Sequence, residues 1–402
     1  MTTVVPTGTT LTDLEPKRSP EDLLGLESLL RPEEREWRDR TRTFVQERVL
    51  PVIDEDFEKQ HFRRELVEEM GSLGMFGMHL EGYGCAGASA VSYGLVCLEL
   101  EAGDSAWRTL ISVQGSLAMS AIAKFGSDEQ KDRWLPEMAA GRSIGCFGLT
   151  EPGAGSDPAA MTTYARRDGS DWVLDGQKRW IGLGSQSDVA IVWAKTDEGI
   201  RGFVVPTDTP GFTANDITTK LALRASVQCD LIMEGCRLPA EAVLPGARGL
   251  KGPFTCLNEA RYGIVWGALG ATRSCLTAAL DYSLEREVFG RPLAGFQLTQ
   301  AKLAEMALEY QKGFLLALHL GRRKDEGVLV PAEISVGKLN NVREAIRAAG
   351  TARSILGGEG ITSRFPVMRH MANLEAVRTY EGTDEVHLLV MGQALTGLRA
   401  FS

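Results

Sequence analysis

The stretch "CFGLTEPGAGSDPAAM", Cys146–Met161, is where the chain changes character. Before it, apolar residues recur at helical spacing; after it, they fall in short β-rich runs. Upstream, "RPEEREWRDRTRTFVQERVLPVIDEDF" opens at Arg31 with Pro32 and acids, a helix start, and Pro51 interrupts it. "ELVEEMGSLGMFGM" follows at helical spacing, and "GYGCAGASA" is a Gly-rich break. "VSYGLVCLELEAGDSAWRTLISVQGSLAMSAIAKFG" then predicts two buried helices with little charge.

Downstream, "TTYARRDGSDWVLDGQKRWIG" predicts two extended runs around "DGSD", with a second "DG" at Asp175-Gly176. "SDVAIVWAKT", "GFVVPTD" and "CDLIMEGCRLP" are further β-rich runs between turn residues. From about Gly252 long helical patterns return. "QLTQAKLAEMALEYQKGFLLALHL" places Leu298, Ala301, Leu303 or Met306, Tyr310 and Leu316 in an apolar stripe. "PAEISVGKLNNVREAIRAAGTARSILGG" starts at Pro331 and ends at Gly357-Gly358, a proline start with a glycine stop. The expected class is α+β. Residues 1–30 read as a loose extension, 31–145 as a helical domain, 146–247 as a small β domain and 248–402 as a helical bundle.

Composition narrows the function. The chain has 402 residues, 44% of them hydrophobic, with a net charge of −9. That balance supplies a large core and argues against a general nucleic-acid binder, which needs a basic face. The 7 cysteines form no C-x-x-C pair and fit free thiols in a reducing compartment, so a cytoplasmic location is expected. The 5 histidines form no H-x-x-x-H pair or Cys/His cluster, so no metal site is expected. No apolar run approaches the roughly 20 residues of a membrane span. "MTTVVPTGTTLTDLEPKRSPEDLL" lacks a signal-peptide core and is a poor transit peptide.

Several residues bear chemistry, each with a plainer alternative. Gly153, Gly155 and Ser156 form a simple turn, or offer backbone N–H groups to a phosphate or flavin edge. Trp180 is a core aromatic or a wall against a cofactor ring. In "EREVFGRPLAGFQ", Arg286 is solvated or meets a pyrophosphate, with Phe289 and Gln297 around the same break. Arg108 lies in "GDSAWRTL", on a segment almost free of charge. A buried guanidinium needs an anion: Glu101, seven residues earlier and on the same helical face, or a ligand carboxylate. Glu381, in "RTYEGTDEVH", is one more surface acid or a catalytic base. No G-x-G-x-x-G after a strand, P-loop or G-x-S-x-G elbow is present.

Together and in this order, "CFGLTEPGAGSD", "RWIG", "ARYGIVWGALGA", "REVFGRPLAGFQ", "LGGEG" and "TYEGTDEVH" resemble the acyl-CoA dehydrogenase family from about Arg31 to Phe401. Within it, "GYGCAG", "DSAWRTLISVQGSL", "FTCLNEARYG", "HMANLEAVRTYEGT" and "GQALTGLRAF" are similar to the glutaryl-CoA dehydrogenases. The resemblance implies an N-terminal helical domain, a middle β-barrel and a C-terminal four-helix domain, usually assembled as a homotetramer. It also implies noncovalent FAD, a coenzyme A thioester substrate and an electron-transferring flavoprotein as acceptor.

Residue by residue, the resemblance makes Glu381 the base that removes the α-proton. It makes Phe147, Leu149, Thr150, Gly155, Ser156, Trp180, Ile181 and Gly182 the flavin lining. Arg286, Phe289, Gln297, Gly357, Gly358 and Thr383 match further FAD contacts, some of them to a neighbouring subunit's cofactor. Phe401 closes the site. On the substrate side stand Ser156, Arg261, Tyr380 and Gly382. Arg108 holds a distal carboxylate, with Glu101, Thr109 and Tyr380 beside it, which implies glutaryl-CoA and decarboxylation to crotonyl-CoA.

Two positions depart from the family pattern. Gly182 replaces a threonine common in relatives and resembles some short-chain acyl-CoA oxidases; Ser354 replaces a larger polar residue. The alternatives are therefore a short-chain dehydrogenase or oxidase acting on a monocarboxylyl thioester, and a glutaryl-CoA dehydrogenase that does not decarboxylate.

Overall fold

A computed structural model describes residues 19–400, so Phe401 and residues 1–18 of the expected extension lie outside the described residues. The first helical part contains α1 (Pro32–Phe44), α2 (Ile53–Lys59), α3 (Glu65–Ser72), α4 (Ala90–Gly103), α5 (Ser105–Ile111), α6 (Ser120–Phe125) and α7 (Asp128–Ala139). Pro32 sits in the first turn of α1, where its missing N–H costs nothing. α4 is buried on nearly every side, as its unbroken apolar run requires. Asp104 ends α4 and caps α5 by accepting from the Ala106 N–H at 2.8 Å. Glu101 and Arg108 thus stand on two helices that meet at a corner, not on one helical face.

Residues 19–30 are not a loose extension. Leu26 and Leu30 are buried in the core, and Gln311 donates to the Pro20 carbonyl at 3.1 Å. Glu21 joins a buried charge cluster in which Arg273 and Arg42 share Glu99.

The middle part is one curled seven-stranded sheet. Its strands are β1 (Gly145–Gly148), β2 (Tyr164–Asp168), β3 (Asp171–Gly182), β4 (Val189–Thr196), β5 (Gly199–Pro206), β6 (Phe212–Asp216) and β7 (Gln228–Leu238). The order is β1-β4-β2-β3-β7-β6, with β5 antiparallel along β4. β1 and β2 share one edge of β4 end to end, both parallel to it, with registers Gly145↔Val189 and Tyr164↔Lys195. The first "DG" turns the β2–β3 hairpin, whereas Asp175-Gly176 makes no turn and lies at a bulge inside β3. β1 and β6 were not legible as strands; each is short.

The last part holds α8 (Lys251–Glu285), a hairpin of β8 (Glu287–Val288) and β9 (Arg291–Pro292), α9 (Gln297–Asp325), α10 (Pro331–Leu356), α11 (Val367–Val377) and α12 (Asp384–Thr396). α10 runs from its N-terminal proline to Gly357, as expected. The stripe expected on α9 holds at Met306 and Tyr310. It fails at Leu298, which is 81% exposed, and at Ala301, also exposed, while Thr299 between them is buried.

Two buried polar networks lock the parts together around α5. Asp104 accepts from Arg369 at 2.9 Å and from Asn373 at 2.8 Å, while Asn373 accepts from the Leu223 N–H at 2.7 Å. Gln114 donates to the Met138 and Ser143 carbonyls and accepts from the Gly145 N–H at 2.7 Å. α5 is therefore fixed against both the sheet and the bundle.

Candidate active site

Glu381 lies on the turn between α11 and α12, with φ of +54°. Such a backbone is costly for a residue with a Cβ and persists only where neighbours hold it. Three do. Arg261 on α8 donates from Nε to the Glu381 carbonyl at 2.7 Å. Lys338 on α10 donates to the Tyr380 carbonyl and, at 2.6 Å, to the Gly382 carbonyl. Gly382 has φ of +103°, and a Cβ there would stand 2.9 Å from His387 Nε2, so only glycine follows Glu381 without displacing that ring.

The Glu381 carboxyl faces inward. Its Oε2 is buried and without a hydrogen-bond partner. Burial raises its pKa above 4.5, and the cations Arg108, Lys338 and Arg261 oppose the rise. A carboxylate that is dry, unpaired and pushed toward neutrality is a competent proton acceptor.

Arg108 supplies the second feature. It is fully buried, with Nε 2.6 Å from Glu101 Oε2. Its two Nη atoms meet only hydroxyls: Ser112 at 3.0 Å, Thr109 at 3.1 Å and Tyr380. Burial works against the charge, but Tyr380, Glu101 and Glu381 outweigh it and hold its pKa above the usual range. Gly267 on α8 makes room: a Cβ there would lie 2.5 Å from Glu101 Oε2. Tyr380 spans from Arg108 to the neighbouring Glu381, and burial raises its phenol well above 10. The internal pair with Glu101 therefore coexists with an Nη edge whose partners are neutral hydroxyls.

Residues expected to line a flavin gather where β1 leaves the sheet. The Thr150 carbonyl accepts from the Arg179 N–H at 2.8 Å, and buried Lys178 donates to the Leu149 carbonyl at 3.1 Å and to Glu151 at 2.8 Å. Glu151 also accepts from the Thr162 and Thr163 N–H groups. Burial pushes the Glu151 carboxyl up, but Lys178, Thr163 and Thr162 outweigh it and bring its pKa to about 2. On the lysine side burial wins, and Lys178 falls to about 8. Beyond this anchor, Gly155 and Ser156 are exposed and open, and a Cβ at Gly155 would meet nothing.

Trp180 is no core residue: it is 52% exposed, at φ of +64°. Phe147, Leu149 and Ile181 are buried, and Ile181 belongs to the sheet's core. The exposed indole beside an open glycine loop fits one face of a flat ring.

Arg286, Phe289 and Gln297 lie elsewhere, at the hairpin and the start of α9. Phe289 is 98% exposed, and no hydrogen bond or ion pair among the described residues joins this group to the Trp180 loop. Gly357 and Gly358 end α10, and Thr383 caps α12 by accepting from the Val386 N–H. Ser354 accepts from Lys302 at 3.0 Å, tying α9 to α10.

Sequence reasoning missed Lys338, Ser112 and the Lys178–Glu151 anchor. The signal for Lys338 was present: it falls four residues after Ile334 and four before Val342, on the buried stripe of α10.

Known proteins share this three-part fold. The N-terminal domain of acyl-CoA dehydrogenases matches residues 31–142, the middle domain 146–236 and the C-terminal domain 247–396. A glutaryl-CoA dehydrogenase structure from Mycobacterium smegmatis is 64% identical, covers 96% of this chain and 100% of its own, and superposes with a TM-score of 0.95. A second glutaryl-CoA dehydrogenase from Mycobacterium smegmatis, solved in complex with FADH2, is 57% identical, with the same coverage and TM-score 0.95. The human mitochondrial short-chain specific acyl-CoA dehydrogenase is 36% identical over 368 residues, 89% of each chain. With all three domains matched in chain order around the turn that carries Glu381, the chain belongs to the acyl-CoA dehydrogenase family.

Proposed function

We propose that the chain dehydrogenates glutaryl-CoA between Cα and Cβ with FAD as cofactor, and then releases CO2 to give crotonyl-CoA. The observation that carries this reading is the join between Glu381 and Arg108 through Tyr380. A base and a buried cation stand at opposite ends of one short path, which is what a thioester with a distal carboxylate requires. The exposed Trp180 and the open Gly155–Ser156 loop, braced by Lys178 and Glu151, are the residues to hold the flavin ring. FAD, when bound, supplies the acceptor for the β-hydride.

The chain's own groups do the rest. Glu381 takes the α-proton on its unpartnered Oε2. Its backbone N–H donates to none of the described residues and is available to the thioester oxygen as negative charge builds there. One such donor contributes about 3–4 kcal/mol. Arg108 keeps Nε on Glu101, while the Ser112, Thr109 and Tyr380 hydroxyls turn aside for the substrate carboxylate. Once the double bond forms, that carboxylate is vinylogous to the thioester. Loss of CO2 leaves a dienolate, and protonated Glu381 returns its proton at the γ-carbon.

The partners proposed are an electron-transferring flavoprotein and three further copies of this chain. Leu298, Phe289, Leu395 and Leu398 are all more than two-thirds exposed, an apolar surface that suits burial between subunits. In a tetramer, Arg286 and Gln297 of one subunit would serve a neighbour's cofactor.

Anaerobic addition of glutaryl-CoA tests the reading. Flavin bleaching with CO2 and crotonyl-CoA in the products supports it. Equal bleaching by butyryl-CoA that survives loss of Arg108 overturns it. A second reading, a monocarboxylyl oxidase, is favoured by Gly182 and would show as peroxide formed in air without a protein acceptor.

A further inference from the structure

Lys338 carries a buried ε-amino group, its pKa lowered by burial to about 7, that the reaction above leaves unused. It is 1% exposed, and no carboxylate forms an ion pair with its ammonium among the described residues. Its hydrogen bonds go to two backbone carbonyls, those of Tyr380 and Gly382, the residues on either side of Glu381. An ammonium without an ion pair is a costly filler for an apolar stripe, where methionine would pack as well.

We infer, on the reading of Glu381 as the base, that Lys338 is a positioning residue that clamps the carbonyls flanking Glu381 and holds it in the left-handed turn that presents its carboxylate. Carbonyls at positions i−1 and i+1 converge on one ammonium only when the residue between them turns sharply. Glu381 does so, with φ of +54°. A point charge with rotatable donors suits two converging oxygens better than the planar fork of arginine. The groups facing Lys338 are Arg261 from α8, Arg108 from α5, Asp384 and His387 from α12, and Tyr380 and Glu381 from the turn. Lys338 also favours the charged form of Glu381.

The test compares Lys338→Met, Lys338→Arg and Glu381→Gln in the FAD-loaded enzyme. Flavin content, crotonyl-CoA affinity and the pH dependence of anaerobic flavin reduction by glutaryl-CoA are measured. Lys338→Met is expected to keep flavin and to bind crotonyl-CoA as the parent does. Its reduction rate should fall about 100-fold, as expected for a misplaced reacting group. Its acid limb should move to higher pH, because a charge that favours carboxylate is gone. Lys338→Arg should restore the limb but not the rate.

An unchanged rate and limb in Lys338→Met overturns the inference. So does a loss that merely tracks flavin content, or full rescue by arginine. Should the methionine variant fail to fold, the arginine variant decides alone: parental rate refutes the clamp, and a reduced rate at an unmoved limb supports it. If Glu381→Gln itself turns over normally, the base assignment has failed rather than the clamp.

Discussion

Arg108 and Glu101 meet at 2.6 Å across the corner between α5 and α4, both fully buried, while the far edge of the guanidinium touches only hydroxyls. One ion pair makes the charge tolerable inside the protein, and the other edge is left to neutral hydroxyls.

Removing Arg108 should have two separable effects. Arg108→Met leaves Glu101 buried without its cation, at a cost of about 3–5 kcal/mol in stability. It should also raise the KM for glutaryl-CoA by about 10- to 100-fold, the worth of a hydrogen bond to a charged group. Adding Glu101→Gln should recover most of the melting temperature but none of the dicarboxylate preference. Thermal denaturation and steady-state kinetics with glutaryl-CoA and butyryl-CoA distinguish the two.

The pH dependence of the first step follows from Glu381. As the proposed base it must be ionised, and burial raises its pKa above 4.5. Flavin reduction should therefore fade on the acid side at a pH higher than an exposed glutamate would give, and should rise as pH increases through that limb. Stopped-flow reduction across pH 5–8 measures it. Glu381→Gln should lose at least about 100-fold in rate and show no limb.

The Glu151–Lys178 anchor predicts acid sensitivity. Glu151 titrates near 2 when folded, against an ordinary 4.5. Its contribution to stability is thus present above about pH 4.5 and is lost as pH falls toward 2. Chemical denaturation as a function of pH should show a shallower acid decline in Glu151→Gln than in the parent. An identical slope would remove this carboxylate from the account.

Position 182 is crowded from one side. A Cβ at Gly182 would stand 3.2 Å from Val113 Cγ2, so Gly182→Thr forces the valine aside. The expected cost is about 1–3 kcal/mol. Val113→Ala in the same chain should return most of it, which differential scanning calorimetry can follow.

The sequence by itself determined the order of helical, β and helical parts. Apolar spacing of 3.6 and of 2 is a local property, and Pro32, Pro331 and Gly357 mark ends through their own backbone preferences. The motif residues around Glu381 were legible for the same reason: they lie together in one short stretch. Only the tertiary structure decided which buried charge meets which. Arg108 reaches Tyr380 across 272 positions and Lys338 reaches the same turn across 42, and no local pattern encodes either pairing. It also decided that Trp180 stands outside the core and that residues 19–30 pack onto it, because exposure depends on what the rest of the chain brings alongside. A buried ion pair or clamp is a balance of desolvation against distant partners, so it exists only once the helices have met.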